Sequence, residues 1–260
     1  MTERKQALVF GEVAETYDRL RPGYPLEAIV DIEEILDLPT PARVLEIGAG
    51  TGKATVLFAE RGHEIVALEP DAQMAAIAGR HLESHPNASV EVTSFEAYRG
   101  TSDAFDLVTA AQAWHWVDQE SGLRLAHERL RPGGGIALLW NWEHGVGLEF
   151  RKELDRAYET HAPGLTKELL KRRVGDVIAD QLESATLFGG LVRRSYPAER
   201  VFTTEEYLAL LTTHSDHRML PVEQRRALHD AVAAVIDDHG GHMTVDYATE
   251  LFVAQRSTSA

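Results

Sequence analysis

The sequence has 260 residues, 44% of them hydrophobic, and a chain of this size can bury the core of one domain or of one domain that carries a lid. Acidic residues number 41 against 26 lysines and arginines, and the resulting net charge of −15 opposes binding to phosphate backbones and to anionic membranes. The absence of cysteine excludes disulfides, thiolate metal sites, a cysteine nucleophile and iron–sulfur clusters.

The first half of the chain alternates helical and strand-like segments. Apolar residues at helical spacing predict an amphipathic helix over residues 26–38, which the prolines of PTP end. Strand patterns follow in RVLEIG, EIVALE, SVEVTS, FDLVTAA and GIALLW, and helical patterns in KATVLFAER, AQMAAIAGRHL and ESGLRLAHERL. Asp71 is placed to cap the second of these helices, and RPGGG to stop the third. Five strands separated by helices predict a parallel sheet covered on both faces.

The second half of the chain is mostly helical in pattern. Helices are predicted in LEFRKELDRAY, TTEEYLALLTTH and VEQRRALHDAVAAVIDDH, with a sheet strand at 190–202 and a final antiparallel strand in HMTVDYATELFVAQR. The predicted fold is therefore α/β, a Rossmann-like, doubly wound, seven-stranded and mostly parallel sheet with a helical lid inserted after strand 5. Residues 1–145 and 240–260 would form the sheet domain, and residues 146–239 a mainly helical lid and substrate region.

Three glycines and one distant acid mark a candidate ligand site. Gly48, Gly50 and Gly52 follow the first strand, and Glu69 ends the second. Ligands of open α/β sheets bind beyond the carboxyl ends of the strands, where the strand order reverses. Glycines let the backbone approach such a ligand, and a carboxylate at the second strand end can accept hydrogen bonds from both hydroxyls of a ribose. A nicotinamide dinucleotide and S-adenosylmethionine both fit this pattern.

The residues around the glycines favour the second ligand. In the dinucleotide fingerprint G-x-G-x-x-G the third glycine would fall at Lys53, and Glu46 stands where it would repel a pyrophosphate. An acid at that place suits a ligand with an ammonium group, and S-adenosylmethionine carries an α-amine and a sulfonium but no phosphate. An NAD-dependent oxidoreductase and a non-catalytic protein that binds S-adenosylmethionine remain the alternatives.

Several segments resemble, in the same order, the motifs of class I S-adenosylmethionine-dependent methyltransferases. They are VLEIGAGTGK, ALEPD, VTSFEAY, FDLVTAAQAWHW and LRPGGGIALLWN. YDRLRPGYP is similar to the N-terminal segment of the small-molecule branch that includes trans-aconitate methyltransferase-like enzymes, and the resemblance covers about residues 10–142. It implies S-adenosyl-L-methionine as the cofactor and methyl transfer to a small-molecule acceptor at oxygen, nitrogen, carbon or sulfur.

The resemblance also implies which residues bind the cofactor. The glycines would line its methionyl part, Glu46 would face the amine, Glu69 would hold the ribose, and Arg21 would pair with the carboxylate. The implied set is Tyr17, Arg21, Glu46, Gly48, Gly50, Gly52, Glu69, Pro70, Met74, Ser94, Phe95, Ala111 and Gln112. Helix packing and a surface cation are the alternatives for Tyr17 and Arg21.

The acceptor is expected beyond the fourth and fifth strands. His115 is the candidate general base, because its ordinary pKa lies near neutrality, and substrate binding or pocket structure is its alternative role. The candidate substrate-binding residues are Trp114, Trp116, Asn141, Trp142, Tyr207, His214 and Ser215, with His217 nearby. A place in the helix core or on its polar surface is the alternative for the residues of the lid.

The remaining expectations concern surroundings and partners. The start MTERKQALVFGEVAE does not resemble a signal peptide, and no apolar run reaches the roughly 20 residues of a membrane span, so we expect a cytoplasmic protein. HSDH and HGGH lack the H-E-x-x-H spacing of zinc ligands, so no metal is expected. We expect a monomer or homodimer with no nucleic-acid or membrane partner.

Overall fold

The computed structural model describes residues 13–165, 177, 180–182 and 186–257. The predicted beginning of the sheet domain (residues 1–12), three stretches of the predicted lid (166–176, 178–179 and 183–185) and the tail (258–260) lie outside the described residues.

The described elements alternate as the sequence predicts up to the fifth strand. They are α1 Ala14–Leu20, α2 Leu26–Leu36, β1 Arg43–Ile47, α3 Lys53–Glu60, β2 Glu64–Leu68, α4 Ala72–His81, β3 Ala88–Glu91, β4 Phe105–Ala111, α5 Gln119–Arg129 and β5 Leu130–Gly145. Helix α1 was not among the predicted elements. Asp71 caps α4, since its carboxylate accepts from the backbone N–H of Gln73 and of Met74.

The second half adds helices and two long strands. They are α6 Leu148–His161, β6 Phe188–Thr203, α7 Thr204–Leu211, α8 Ser215–Met219, α9 Val222–Asp238 and β7 His242–Arg256. Thr203 caps α7 in a capping box with Glu206, in which each side chain bonds to the other residue's backbone N–H. β6 covers the predicted strand at 190–202, so the region 146–239 is not wholly helical.

Several boundaries differ from the predictions for identifiable reasons. Helix α2 ends at Leu36 because Asp37 adopts a left-handed conformation with φ 48°. β3 ends at Glu91, which is paired with Leu68, the last residue of β2. β5 begins directly after α5 and runs through RPGGG. Gly135 allows this passage, since a Cβ there would lie 2.4 Å from Leu36 Cδ2.

The predicted seven-stranded, mostly parallel sheet is confirmed. The strand order is β3-β2-β1-β4-β5-β7-β6, with β1 to β5 parallel. β7 lies antiparallel between β5 and β6, as predicted for the last strand. The order reverses between β1 and β4, so their carboxyl ends, with that of β2, border the position where open α/β sheets bind ligands.

Three apolar clusters hold the fold together. One covers the sheet face that carries Ile47, Leu138 and Trp140. A second packs α2 and α3 against the opposite face. The third joins the helices of the region 146–239 to α1 and to the extended ends of β6 and β7, with Phe202 at 0% exposure. That region therefore shares its core with the segment that precedes the sheet.

Candidate functional site

The turn after β1 has a backbone geometry that favours glycine at three positions. Gly48, Gly50 and Gly52 all adopt left-handed conformations, with φ of +65°, +59° and +85°. A Cβ on Gly48 would lie 2.4 Å from the Cβ of Ala113, and one on Gly52 would lie 3.2 Å from that of Ala78. The first of these separations is far inside van der Waals contact, so the bare backbone lies directly against the segment that follows β4.

Glu69 is bonded to the glycine turn across the two strand ends. One of its carboxylate oxygens accepts from the N–H of Gly50 at 2.8 Å and the other from the N–H of Asp71 at 2.8 Å. Burial raises the pKa of Glu69 to about 7, against the lowering effect of these two bonds. The carboxylate is fixed in orientation, and each oxygen can still accept from a further donor.

Glu46 lies beneath the same turn and has an unused oxygen. It is 1% exposed, and its Oε2 accepts from the Thr55 hydroxyl at 2.6 Å. Its Oε1 is buried without a hydrogen-bond partner in the described part of the chain. Burial raises the pKa of Glu46 to about 7, and the neighbouring charge of Glu69 adds to this. A buried acceptor in this state is costly unless a donor or cation reaches it, so the site fits a ligand with an ammonium group.

Of the residues predicted to lie near the adenine, some are buried against the glycine turn or in the core and others are exposed to solvent. Met74 is 4% exposed, and its Cε would lie 3.6 Å from a Cβ on Gly50, which places it against the turn. Phe95 is buried, whereas Pro70 is exposed. The Ser94 hydroxyl accepts from the N–H of Ala97 at 3.3 Å.

Helix α1 is fastened beside the turn by charged groups. Asp18 contacts Lys53 Nζ at 3.9 Å and His81 Nε2 at 3.3 Å, which joins α1 to α3 and α4. Tyr17 packs with Met74 and Ile77 of α4. Burial raises the pKa of Tyr17, and the charges of Arg21 and Glu69 also act on it, which places its hydroxyl within electrostatic range of both.

Arg21 reaches the region that follows α7. Its Nε donates to the Thr213 hydroxyl at 2.8 Å and its Nη2 to the Thr213 carbonyl at 3.0 Å. Its guanidinium also lies 5.4 Å from the centre of the Tyr17 ring. The sequence prediction for Arg21 did not include this bond across the fold, and any pairing with a cofactor carboxylate would add to or replace it.

The end of β4 is strained and tightly held. Gln112, which follows Ala111, has φ 58°, a conformation that is unfavourable for a non-glycine residue. Its side-chain amide exchanges two hydrogen bonds with the backbone of Asn141, at 3.3 and 3.2 Å, and its own N–H donates to the Leu139 carbonyl at 2.8 Å. These bonds fix the carboxyl ends of β4 and β5 relative to each other.

The Asn141 side chain is also engaged by the protein. Its amide donates to the Gly23 carbonyl at 2.9 Å, and its oxygen accepts from the Thr249 hydroxyl at 2.5 Å. It therefore connects the segment after α1 to β5 and β7, and an acceptor contact would require one of these bonds to be exchanged.

The AWHW motif forms one 3₁₀ turn beyond β4. Trp114 is 4% exposed and packs near Phe95, with ring centres 6.4 Å apart, and Trp142 borders the same cluster. The ring of His115 lies 4.6 Å from that of Trp116. His115 Nδ1 is buried without a partner among the described residues, and burial lowers its pKa to about 4. The imidazole is therefore neutral at physiological pH.

The predicted residues of the region 146–239 fall in two environments. Tyr207 and His217 belong to the interior, where Tyr207 packs 5.9 Å from Phe202 between ring centres. His214 and Ser215 follow Thr213, the partner of Arg21, and Ser215 begins α8. Burial holds the pKa of His214 well below its usual value, and its Nε2 has no partner in the described structure.

Sequence reasoning missed an acidic group at the far end of β5. Glu143 faces Tyr247 across the β5–β7 pairing, and the tyrosine hydroxyl donates to its Oε1 at 3.3 Å. The available signal was alternation, because Glu143 lies two residues after Asn141 and so on the same face of the strand. Thr213 was missed as well, since nothing in its surroundings in the sequence indicates a bond to Arg21.

Across the part of the chain that the structure describes, no group of three or more potential ligands could hold a metal ion. No described helix has the length and apolar character needed to cross a membrane.

Comparisons with sequences point to one enzyme family. Residues 44–134 match the family of methyltransferase domains. An uncharacterized methyltransferase of Mycobacterium tuberculosis is 30% identical over 92% of this chain and 89% of its own length. The tRNA 5-carboxymethoxyuridine methyltransferase of Escherichia coli is 27% identical over 53% of this chain and 58% of its own.

Solved structures share the fold. A protein assigned as a type II methyltransferase from Anaeromyxobacter dehalogenans has a TM-score of 0.62 at 20% identity, covering 90% of this chain and 97% of its own. The phosphoethanolamine N-methyltransferase 2 of Haemonchus contortus, in complex with phosphomonomethylethanolamine and S-adenosylhomocysteine, has a TM-score of 0.55 at 14% identity, covering 94% of this chain and 57% of its own. Taken with the glycine turn and its two carboxylates, the sequence relatives show that this chain belongs to the class I S-adenosylmethionine-dependent methyltransferases, rather than to the nicotinamide-dependent oxidoreductases.

Proposed function

We propose that the enzyme methylates a small-molecule acceptor, and that the turn after β1 holds the cofactor. The observation that carries the cofactor assignment is the unused, buried oxygen of Glu46 beneath a turn whose three glycines adopt left-handed conformations. When bound, S-adenosyl-L-methionine supplies an electrophilic methyl group and leaves as S-adenosylhomocysteine.

The chain's own groups have distinct tasks in this proposal. Glu69, held by the N–H groups of Gly50 and Asp71, accepts hydrogen bonds from the ribose hydroxyls. Glu46 accepts from the α-amine, and Met74 packs against the adenine beside the turn. His115 presents an imidazole that is neutral because burial lowers its pKa to about 4, so it can accept a hydrogen bond from the acceptor but is a weak base.

Enclosure supports a small acceptor over a macromolecule. Thr213 bonds to Arg21, so the region 146–239 is joined to the segment that borders the turn, as a lid would be. The net charge of −15 opposes nucleic acid. The Escherichia coli relative acts on tRNA, so an RNA acceptor is the second candidate, favoured only by that similarity over 53% of this chain.

A screen for acceptor-dependent release of S-adenosylhomocysteine tests the proposal. Purified protein would be incubated with S-adenosylmethionine and either a fractionated metabolite extract or total tRNA, with product quantified by mass spectrometry. We expect release with a fraction of low molecular mass and none with tRNA. Release with tRNA alone would overturn the small-molecule assignment.

The two carboxylates make cofactor binding dependent on pH. Burial raises the pKa of both Glu46 and Glu69 to about 7, and a cationic ligand favours their ionised forms, so binding at low pH must displace protons. We expect the affinity for S-adenosylmethionine to fall from pH 8 to pH 6 by about tenfold for each carboxylate that must lose its proton, and so by about 100-fold for the two together, since one pKa unit corresponds to about 1.4 kcal/mol. Calorimetric titration across this range measures it.

The unliganded protein should show the opposite trend. A carboxyl whose pKa is raised by folding stabilises the fold fully below its unfolded value near 4.5, and this contribution is lost as the pH rises through 7. Glu46→Gln removes one of these groups, so it should make the unliganded stability less sensitive to pH while weakening cofactor binding at pH 8. An affinity that is flat from pH 6 to pH 8 in the unmutated protein would contradict this linkage.

A further inference from the structure

Thr213, just beyond the end of α7, is buried and hydrogen-bonded in two directions. It is 0% exposed, and its hydroxyl donates to the Leu210 carbonyl at 2.6 Å while accepting from Arg21 Nε at 2.8 Å. Its own carbonyl accepts from Arg21 Nη2 at 3.0 Å. The side chain and the backbone of one residue therefore fix one edge of the guanidinium, and hydrogen bonds from a charged donor are among the stronger ones in proteins.

The Arg21 guanidinium has an unmet charge. Among the described residues it makes no ion pair, and its hydrogen bonds all go to Thr213. The side chain is half-buried. A guanidinium has more N–H groups than the two that Thr213 engages, so donors remain for a ligand. A partly buried cation without a carboxylate partner is costly, and an anionic group of a ligand would relieve that cost.

Arg21 follows a helix that reaches the glycine turn. The guanidinium lies 5.4 Å from the centre of the Tyr17 ring, and Tyr17 packs with Met74, which lies against the turn. Lys53, the first residue of α3 after the turn, donates from Nζ to the Asp18 carbonyl at 2.5 Å. Helix α1 is therefore fixed to the proposed cofactor site on one side.

The end of the same helix is fixed to the region 146–239. Leu20 is 1% exposed and belongs to the apolar cluster that contains Leu210 of α7. Its carbonyl accepts from Arg200 Nη1 of β6 at 2.7 Å. With the two bonds from Thr213 added, the position of the Arg21 guanidinium depends on where α7 lies and not on α1 alone.

We infer that Thr213 is a positioning residue for cofactor binding, which holds the Arg21 guanidinium where it meets the carboxylate of S-adenosylmethionine, so that the region 146–239 completes the cofactor site. The inference rests on the proposed function, because it requires that the glycine turn holds this cofactor. The carboxylate contact of Arg21 was expected from the sequence, and the part assigned to Thr213 follows from the two bonds. Cofactor binding and the placement of α7 are then coupled, since both favour one orientation of Arg21.

Two ligands that differ only in the carboxylate test this role. Calorimetry would measure the affinity for S-adenosylhomocysteine and for its decarboxylated analogue, which keeps the amine and the ribose. We expect Thr213→Val to lower the affinity for S-adenosylhomocysteine about tenfold, since it removes a hydrogen bond to a charged group. It should leave the affinity for the analogue unchanged, whereas a purely structural role would lower both affinities by the same factor.

Two further variants separate this role from a local effect on α7. The Thr212 hydroxyl donates to the Ala209 carbonyl at 2.6 Å, which matches the bond from Thr213 to Leu210. Both carbonyls also accept from a backbone N–H, so neither loses its last donor when the hydroxyl is removed. Thr212→Val should therefore leave both ligand affinities unchanged. Thr213→Ser keeps the hydroxyl and should bind S-adenosylhomocysteine as the unmutated protein does.

A double-mutant cycle shows whether Thr213 acts through Arg21. Arg21→Ala alone should lower the affinity for S-adenosylhomocysteine at least about tenfold, because the carboxylate loses its charged donor. Adding Thr213→Val to Arg21→Ala should cause no further loss, since the side chain that Thr213 positions is already gone.

The results that overturn the inference are distinct from failure of the proposed function. Full affinity in Thr213→Val, equal weakening of both ligands, no recovery in Thr213→Ser, an equal loss in Thr212→Val, or a further loss on top of Arg21→Ala would each overturn the role of Thr213. If the unmutated protein did not bind S-adenosylhomocysteine, the proposed cofactor site would fail first.

Discussion

Gly48→Ala is expected to remove measurable binding of S-adenosylmethionine. A left-handed conformation costs an L-residue about 1–2 kcal/mol, and the φ of Gly48 is +65°. The larger effect is steric, because the new Cβ would lie 2.4 Å from the Cβ of Ala113. Either the turn or the segment after β4 has to move, and Gly50 then moves relative to Glu69. A loss of at least about 100-fold in affinity corresponds to about 2.7 kcal/mol.

Gly62→Ala provides the matched control. Gly62 follows α3 with φ +85°, and a Cβ there would meet no atom within 4 Å. Gly62→Ala therefore has a similar torsional cost to Gly48→Ala, but its new Cβ meets no other atom and it lies away from the proposed cofactor site. Calorimetric titration and thermal unfolding of both variants separate the two effects. If Gly48→Ala and Gly62→Ala lost stability equally and both kept cofactor affinity, the close approach of turn and strand end would have no role in binding.

The sheet was predictable because its signals are local. Strand and helix periods, with glycines and prolines between them, specify β1 to β4 and the helices that connect them. The hydrogen bond between Glu69 and the Gly50 N–H follows from topology. The neighbouring strands β1 and β2 are parallel, so the residues that follow them lie at the same edge of the sheet. The extension of β5 to Gly145 was not predictable in this way, because it depends on pairing with β7 more than a hundred residues later.

The residues that were missed depend on contacts between distant parts of the chain. Arg21 and Thr213 are 192 positions apart, and their hydrogen bond reflects how α1 packs against the end of α7. Glu143 and Tyr247 meet through the register of two antiparallel strands. His217 reads in the sequence as part of a polar HSDH motif, yet it is 3% exposed and hydrogen-bonds with Tyr158 and His229. Burial of this kind is decided by packing, which local pattern does not encode.

Glu69→Ala is expected to lower the affinity for S-adenosylmethionine by at least about tenfold, in line with ~1.5–3 kcal/mol for a hydrogen bond to a charged group. The carboxylate would no longer accept from the ribose, and the N–H groups of Gly50 and Asp71 would lose their acceptor. Glu64→Ala is the control, since Glu64 lies at the opposite end of β2, where its Oε2 is 4.0 Å from Arg43 Nε.

A ligand without one ribose hydroxyl distinguishes recognition of the ribose from a general disturbance of the turn. In the unmutated protein, 2′-deoxy-S-adenosylhomocysteine should bind more weakly than S-adenosylhomocysteine, because Glu69 loses a donor. In Glu69→Ala the two ligands should bind about equally, since the carboxylate that distinguishes them is gone. The ratio of the two ligand affinities in the unmutated protein, compared with the same ratio in Glu69→Ala, measures the coupling between Glu69 and the 2′-hydroxyl. If the deoxy ligand were disfavoured to the same degree in both proteins, Glu69 would be supporting the turn through its two backbone bonds without contacting the sugar.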